Sequence, residues 1–319
     1  MTKAGAATAE PRREALANPW LRYFLATRPA FLSITLVGVL LGLAVAGQDG
    51  VPFDLGSAGV TLMLALAAHA GVNVLNDYYD HRNGTDAMNV ERLYPYTGGS
   101  RFIQNGVLTP GQTLAFGLGL FLLVILGGLW LLQRAGPGLF WIGLAGLLIG
   151  WAYSAPPLRL NSRGFGEGCV ATGFLLVVIG ADHVLRGGFA LAPILIGLPY
   201  ALLVTNILYI NQFPDRRADQ AAGKRHWVVR LDPARAAHGY DLILILAMGW
   251  LAGLLVGGTL PAWSGLALLA GLPAAWAGRQ LHRYAATPAL LVPAIRATLA
   301  AAHLVALLLC LGLLLEILS

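Results

Sequence analysis

Charge is scarce in this sequence: only 11% of its 319 residues are Asp, Glu, Lys or Arg, against about 25% in an average soluble domain. With 57% apolar residues and a mean hydropathy of +0.69, no soluble interior could hide the apolar surface. An ordinary globular or disordered protein is therefore excluded. Cysteine is scarcer still. Cys169 and Cys310 both sit in apolar runs, which excludes a disulfide framework or a cysteine-based metal site and reads as two buried thiols. No GxGxxG or Walker pattern occurs, so no nucleotide cofactor is implied. No apolar run follows Arg12–Arg13 closely enough for a cleavable signal peptide.

What the chain has in quantity is long apolar runs. Nine segments read as membrane spans, at about 30–47, 57–79, 112–132, 138–154, 168–185, 190–212, 239–258, 262–278 and 290–315. The expected fold is a single all-α polytopic bundle over 19–319, preceded by a disordered polar tail, 1–18. Of the 21 Lys and Arg residues, all but Arg134, Arg186 and Arg296 fall in the N-terminal tail or in loops on the same side. That asymmetry predicts a cytoplasmic N-terminus and an outside C-terminus. It also explains the net charge of +6 as a topology signal, so a nucleic-acid partner has no support. Pro214, at the end of the sixth span, falls where a helix break costs least.

Function is signalled by polar residues where a bilayer disfavours them. The second span ends with His69, Asn73, Asn76, Asp77 and Asp80, and 69, 73, 76 and 80 share one helical face. The sixth ends with Asn206, Tyr209, Asn211, Asp215 and Asp219, with 211, 215 and 219 again four apart. Both spans run in the same direction, so the acids should meet at one interface. Clustered carboxylates repel unless cations neutralise them, and oxygen ligands of this kind suit Mg²⁺. Basic residues lie in the same loops: Arg82 and Arg101, Arg159 and Arg163, Lys224 and Arg225. Acids plus guanidinium and ammonium groups at one mouth are the electrostatics of a diphosphate site.

NDYYDHRNGTD (76–86) and DRRADQAAGKR (215–225) resemble the two Asp-rich motifs of the UbiA superfamily of intramembrane prenyltransferases. The resemblance extends to Arg28-Pro29, to GGSRFIQNGVLTP (98–110) and to YSAPPLRLNSRGFGE (153–167). Within the superfamily the motifs look most like the 1,4-dihydroxy-2-naphthoate prenyltransferases of menaquinone synthesis. One departure stands out: Gly84 takes the place of the first motif's final Asp, with Asp86 the nearest substitute.

The resemblance implies nine helices around a central cavity, a cap of cytoplasmic loops, and a bacterial inner membrane. It also implies two Mg²⁺ ions and two substrates, a polyprenyl diphosphate and an aromatic acceptor. Asn76, Asp80 and Asp86 would serve one metal; Asp215, Asp219 and Asn211 the other. Arg101, Arg159, Lys224 and Arg225 would hold the diphosphate, and Tyr153, Ser154 and Arg159 would lie at the reacting groups. Arg28 is placed to meet an acceptor carboxylate or to anchor the first span. His69 could face the cavity as a base or sit buried in a hydrogen bond. Arg163 and Glu167 could pair with each other or orient acceptor oxygens, Asp182-His183 reads as an interfacial pair, and His282 and Arg283 read as interface residues. The competing acceptors are 4-hydroxybenzoate and chlorin or haem rings. The competing functions are a terpene cyclase on the same scaffold and a cation-coupled transporter, whose sites would lie near mid-bilayer on broken helices.

Overall fold

The computed structural model describes residues 10–319. In chain order its helices are α1 (Pro19–Ala26), α2 (Pro29–Gln48), α3 (Leu55–Arg82), α4 (Thr85–Met88), α5 (Pro110–Ala135), α6 (Gly138–Ser154), α7 (Leu160–Arg163), α8 (Gly166–Arg186), α9 (Ala192–Ala221), α10 (Trp227–Arg230), α11 (Pro233–Val256), α12 (Gly271–Tyr284) and α13 (Val292–Leu318). Among the described residues there is no β-strand. Seven helices, α2, α3, α5, α8, α9, α11 and α13, are long and apolar enough to cross a membrane. The fourth expected span is a shorter apolar helix, α6, of 17 residues. The eighth opens as a 3₁₀ helix, Ala262–Ala270, and turns α-helical only at Gly271.

Each start has a local cause. Asp54 caps α3 by accepting from the backbone of Gly56 and Ser57, and Asp232 caps α11 by accepting from Arg235. Thr109 and Gln112 form a reciprocal capping box, with Pro110 at the first helical position of α5. The main core gathers α2, α9, α11 and α13 around Tyr200, Tyr240, Ile295 and Leu309. Tyr200 donates from its hydroxyl to the Ile34 carbonyl at 2.7 Å, which ties α9 to α2. Large apolar side chains on the rim, among them Leu126, Ile245 and Leu314, are exposed. An apolar outer belt of this kind suits lipid, where packing rather than water exclusion brings helices together. At Gly42 a Cβ would lie 2.3 Å from the Val178 carbonyl oxygen, so α2 and α8 touch backbone to backbone.

Two boundaries differ from the sequence expectation, and both matter for the site. Helix α3 runs on to Arg82, and α9 passes straight through Pro214 to Ala221. A proline inside a helix withholds one hydrogen bond, but here the turns beyond it pack against α10 and α4 and stay helical. Of the expected tail, residues 1–9 lie outside the described residues. Residues 10–18 pack on the loop before α5: Glu10 pairs with Arg92 at 2.6 Å and accepts from Asn105 at 3.1 Å.

Candidate active site

The ends of α3 and α9 lie face to face. Lys224, in the loop after α9, sits between them, with its ammonium 3.0 Å from Asp80 Oδ1 and 2.9 Å from Asp219 Oδ1. Burial alone would depress this ammonium, but Asp219 and Asp80 outweigh it and hold its pKa above the ordinary value. His226 adds a second contact to Asp219, at 2.9 Å.

The carboxylates are held on all sides. Asn76 donates to Asp80 at 3.2 Å and to the Ser154 hydroxyl at 3.0 Å, which joins α3 to the end of α6. Asn83 donates to the other Asp80 oxygen at 3.1 Å. Asp215 accepts from Asn89 at 2.6 Å and from the backbone of Gly98 at 3.3 Å. Asn211 donates to the Tyr96 carbonyl at 3.3 Å. The loop 89–101 is therefore fastened to α9 and forms a lid over both helix ends.

Asp77 and Asp86 meet around Gly99. That residue has φ +75, and a Cβ on it would lie 3.1 Å from an oxygen of each carboxylate. Only glycine gives both the left-handed backbone and the room. Asp77 is ion-paired with Arg28 and accepts from the Ser100 backbone at 3.2 Å. Asp86 is buried, accepts from Gln104 at 3.1 Å, and has its carbonyl bound by Arg101. Burial, then the charges of Asp80 and Asp77, push its carboxyl well above the usual carboxylate range, although Arg28 opposes this. Five acids, Asp77, Asp80, Asp86, Asp215 and Asp219, thus gather where Lys224 and Arg28 are already committed as counter-ions.

Beneath this polar mouth lies an apolar cavity of about 550 Å³, walled by α3, α5, α6 and α8. Tyr153, Phe174, Asn73 and His69 line it. His69 is hydrogen-bonded through Nδ1 to Thr35 at 2.7 Å, and Asn73 donates to the Thr27 carbonyl at 3.1 Å. The wall includes Ile125, Leu129, Phe140 and Leu144, which are also exposed on the outer belt. The cavity therefore reaches the outer surface between α5 and α6.

Of the residues expected at the site, Asn76, Asp77, Asp80, Asp86, Arg101, Ser154, Asn211, Asp215, Asp219 and Lys224 stand around the mouth. Tyr153 lines the cavity below them, and Arg28 contacts the mouth through Asp77. Arg159 and Arg225 are exposed. The Arg225 backbone donates to Ser162, and Arg159 holds a left-handed φ of 45. Arg163 and Glu167 do not pair: Arg163 binds the Pro157 carbonyl and Glu167 accepts from Gln212 at 2.9 Å. Their helices point them apart across the turn at Gly164. His282 is paired with Asp241 rather than free at the interface. Asp182 is buried and held by Arg186, which also reaches Asp49. Asn206 and Tyr209 serve packing, binding carbonyls of α11. Sequence reasoning missed Asn89, Gly98, Gln104 and His226. Only His226, two residues beyond Lys224, carried a usable signal.

The oxygen-rich donor set fits a hard divalent cation. Asn211 Oδ1 and Asn89 Oδ1, beside Asp215, are buried oxygens with no hydrogen-bond partner, which is what a site built for an additional cation or its ligands would leave.

The UbiA prenyltransferase family matches residues 35–291, and the chain belongs to this family: it is an integral membrane enzyme that transfers prenyl groups. It is similar to the 1,4-dihydroxy-2-naphthoate octaprenyltransferase of Bacillus subtilis, 27% identical over 74% of each chain. It is also similar to the 2-carboxy-1,4-naphthoquinone phytyltransferase of Synechocystis, 28% identical over 80% of each. Its fold is similar to that of a UbiA homologue from Archaeoglobus fulgidus solved with DMAPP and Mg²⁺, with a TM-score of 0.56 at 16% identity over 90% of this chain and 99% of the other.

Proposed function

We propose that this UbiA-family enzyme prenylates 1,4-dihydroxy-2-naphthoate with a polyprenyl diphosphate, in quinone synthesis at a bacterial inner membrane. In this reading the N-terminus and the mouth face the cytoplasm, and the C-terminus lies outside. The acceptor rests on two relatives that carry different prenyl tails but share a naphthoate-type ring. One observation carries the site: Lys224 bridges Asp80 of α3 and Asp219 of α9, so the two Asp-rich stretches form one polar mouth above an apolar cavity.

Asn76, Asp80 and Asp86 would hold one Mg²⁺, and Asn211, Asp215 and Asp219 a second. When bound, these ions supply charge neutralisation to the leaving diphosphate. Lys224 and Arg101 would hold phosphate oxygens, and Arg159 and Arg225, both exposed, would fold inward onto them. Breaking the C–O bond leaves diphosphate and an allylic cation, which the ring face of Tyr153 stabilises. The apolar walls keep water from quenching it. The electron-rich ring carbon that bears the carboxylate forms the new C–C bond, and that carboxylate leaves as carbon dioxide, its bonding pair returning to the ring to restore aromaticity. Asp77 acts through position: it fixes the loop at Ser100 and holds Arg28 at the mouth.

The test uses purified enzyme, Mg²⁺ and a labelled polyprenyl diphosphate, with 1,4-dihydroxy-2-naphthoate, with 4-hydroxybenzoate, or with no acceptor. Prenylated naphthoate, with diphosphate release dependent on the naphthoate, is the expected result. Release without any acceptor would favour a cyclase, and product from 4-hydroxybenzoate alone would reassign the acceptor.

A further inference from the structure

Away from the mouth, one group of side chains among the described residues brings three ligand atoms close enough to hold a metal ion: His238 and Asp241 on α11 with His282 on α12. Their ligand atoms all lie within 4.8 Å of one another. His238 and Asp241 are three apart and so share a face of α11. His282 lies in the last turn of α12. Its Nε2 is 2.5 Å from Asp241 Oδ2, and its ring centroid is 4.7 Å from that of His238. One turn before it, Gly278 opens the space for the acid: a Cβ there would lie 2.8 Å from Asp241 Oδ1. The three side chains thus converge across the seam of the two helices, and all remain accessible from outside.

We propose that His238, Asp241 and His282 form a transition-metal site of the zinc class, distinct from the prenyl-transfer mouth. The donor chemistry separates the two. Two imidazoles and one carboxylate suit Zn²⁺, while the mouth is dominated by the hard oxygen donors of its acids and amides. Zinc binds such ligands at about 2 Å, which sets them about 3.3 Å apart in a tetrahedron. That spacing lies inside the present spread and needs only small side-chain rotations. Three protein ligands at an accessible surface leave the fourth position to water. The ion would staple α12 to α11. This short helix follows a 3₁₀ stretch and leads into a second one, Pro288–Leu290, so the tie would add to the packing of Ala274, Ala277 and Leu281 that already seats it.

The test takes the full chain without a histidine tag, purified in detergent and stripped with EDTA. Zinc retained after gel filtration is counted by elemental analysis, and Tm is followed with Zn²⁺ or Mg²⁺ added. The expected result is one more Zn²⁺ per chain in the wild type than in the His238→Ala/His282→Ala double variant. The Tm rise with Zn²⁺ should be larger in the wild type than in the double variant, because a ligand that binds only the folded state stabilises it, while any rise from Mg²⁺ at the mouth should be the same in both. Asp241→Asn keeps a hydrogen-bonding group beside His282 and removes the charge. It should weaken zinc binding at least about tenfold, and it serves if the double variant does not fold. Equal zinc counts in wild type and variants, or a Zn²⁺-induced Tm rise undiminished in them, would overturn the assignment. Zinc bound at the acids of the mouth would persist in every variant and so cancels in the comparison.

Discussion

Asp80, Asp215 and Lys224 bear the clearest single-residue consequences. Asp80→Ala and Asp215→Ala should each lower turnover by at least about 100-fold, the scale of losing a preorganised charge contact, with near-normal expression. Product formation against protein level checks this, and near-wild-type turnover in either variant would remove that acid from the site. Asp86 predicts a pH dependence. Its folded-state pKa lies above its unfolded value of about 3.9, so its ionisation works against folding. Stability should fall as pH rises from near 4 through the raised value. In EDTA, Tm measured between pH 5 and 8 should decline for the wild type. Asp86→Asn should flatten that decline and raise Tm near pH 8; an unchanged slope would show that other groups govern it. Gly99→Ala would force a Cβ onto a left-handed backbone, at about 1–2 kcal/mol, and against two carboxylates. It should depress turnover more than Tm.

Among the elements, α2 and α8 are held by contact at Gly42. Gly42→Leu must push the helices apart and should cost on the order of 1–3 kcal/mol, seen as a lower Tm and poorer recovery of folded protein. The elements also show which parts the sequence discloses. Helical spacing is local, so the faces carrying Asn76 and Asp80, and Asp215 and Asp219, could be read from intervals of three and four. The end of α9 could not: Pro214 signals a stop, and only contacts with α4 and α10 keep the next two turns helical. The loop 89–101 was opaque for another reason. Its Gly98 amide and Asn89 reach Asp215 from 117 and 126 residues away, through left-handed turns at Gly98 and Gly99 that no periodicity announces. The 3₁₀ opening of the eighth segment was hidden likewise, since apolar composition does not distinguish it from an α-helix.

For the molecule as a whole, the Lys and Arg bias predicts which way the bundle sits. In a Cys169→Ala/Cys310→Ala background, cysteine introduced at Glu91 should react with an impermeant maleimide only in inside-out vesicles. At Ser319 it should react only in right-side-out ones, and the reverse pattern would invert the orientation. The acids crowd one end of the bundle rather than its middle, which is not the placement a mid-bilayer transport path requires. The seam between α5 and α6 joins the cavity to the apolar belt, so a lipid tail could reach the mouth without leaving hydrocarbon.

Lys224 has one further consequence. Its ammonium, wedged between Asp80 and Asp219, draws together two helix tips whose acids would otherwise repel. In the proposed reaction, loading the site would then be an exchange of counter-ions, with the lysine turning from the carboxylates to an arriving phosphate.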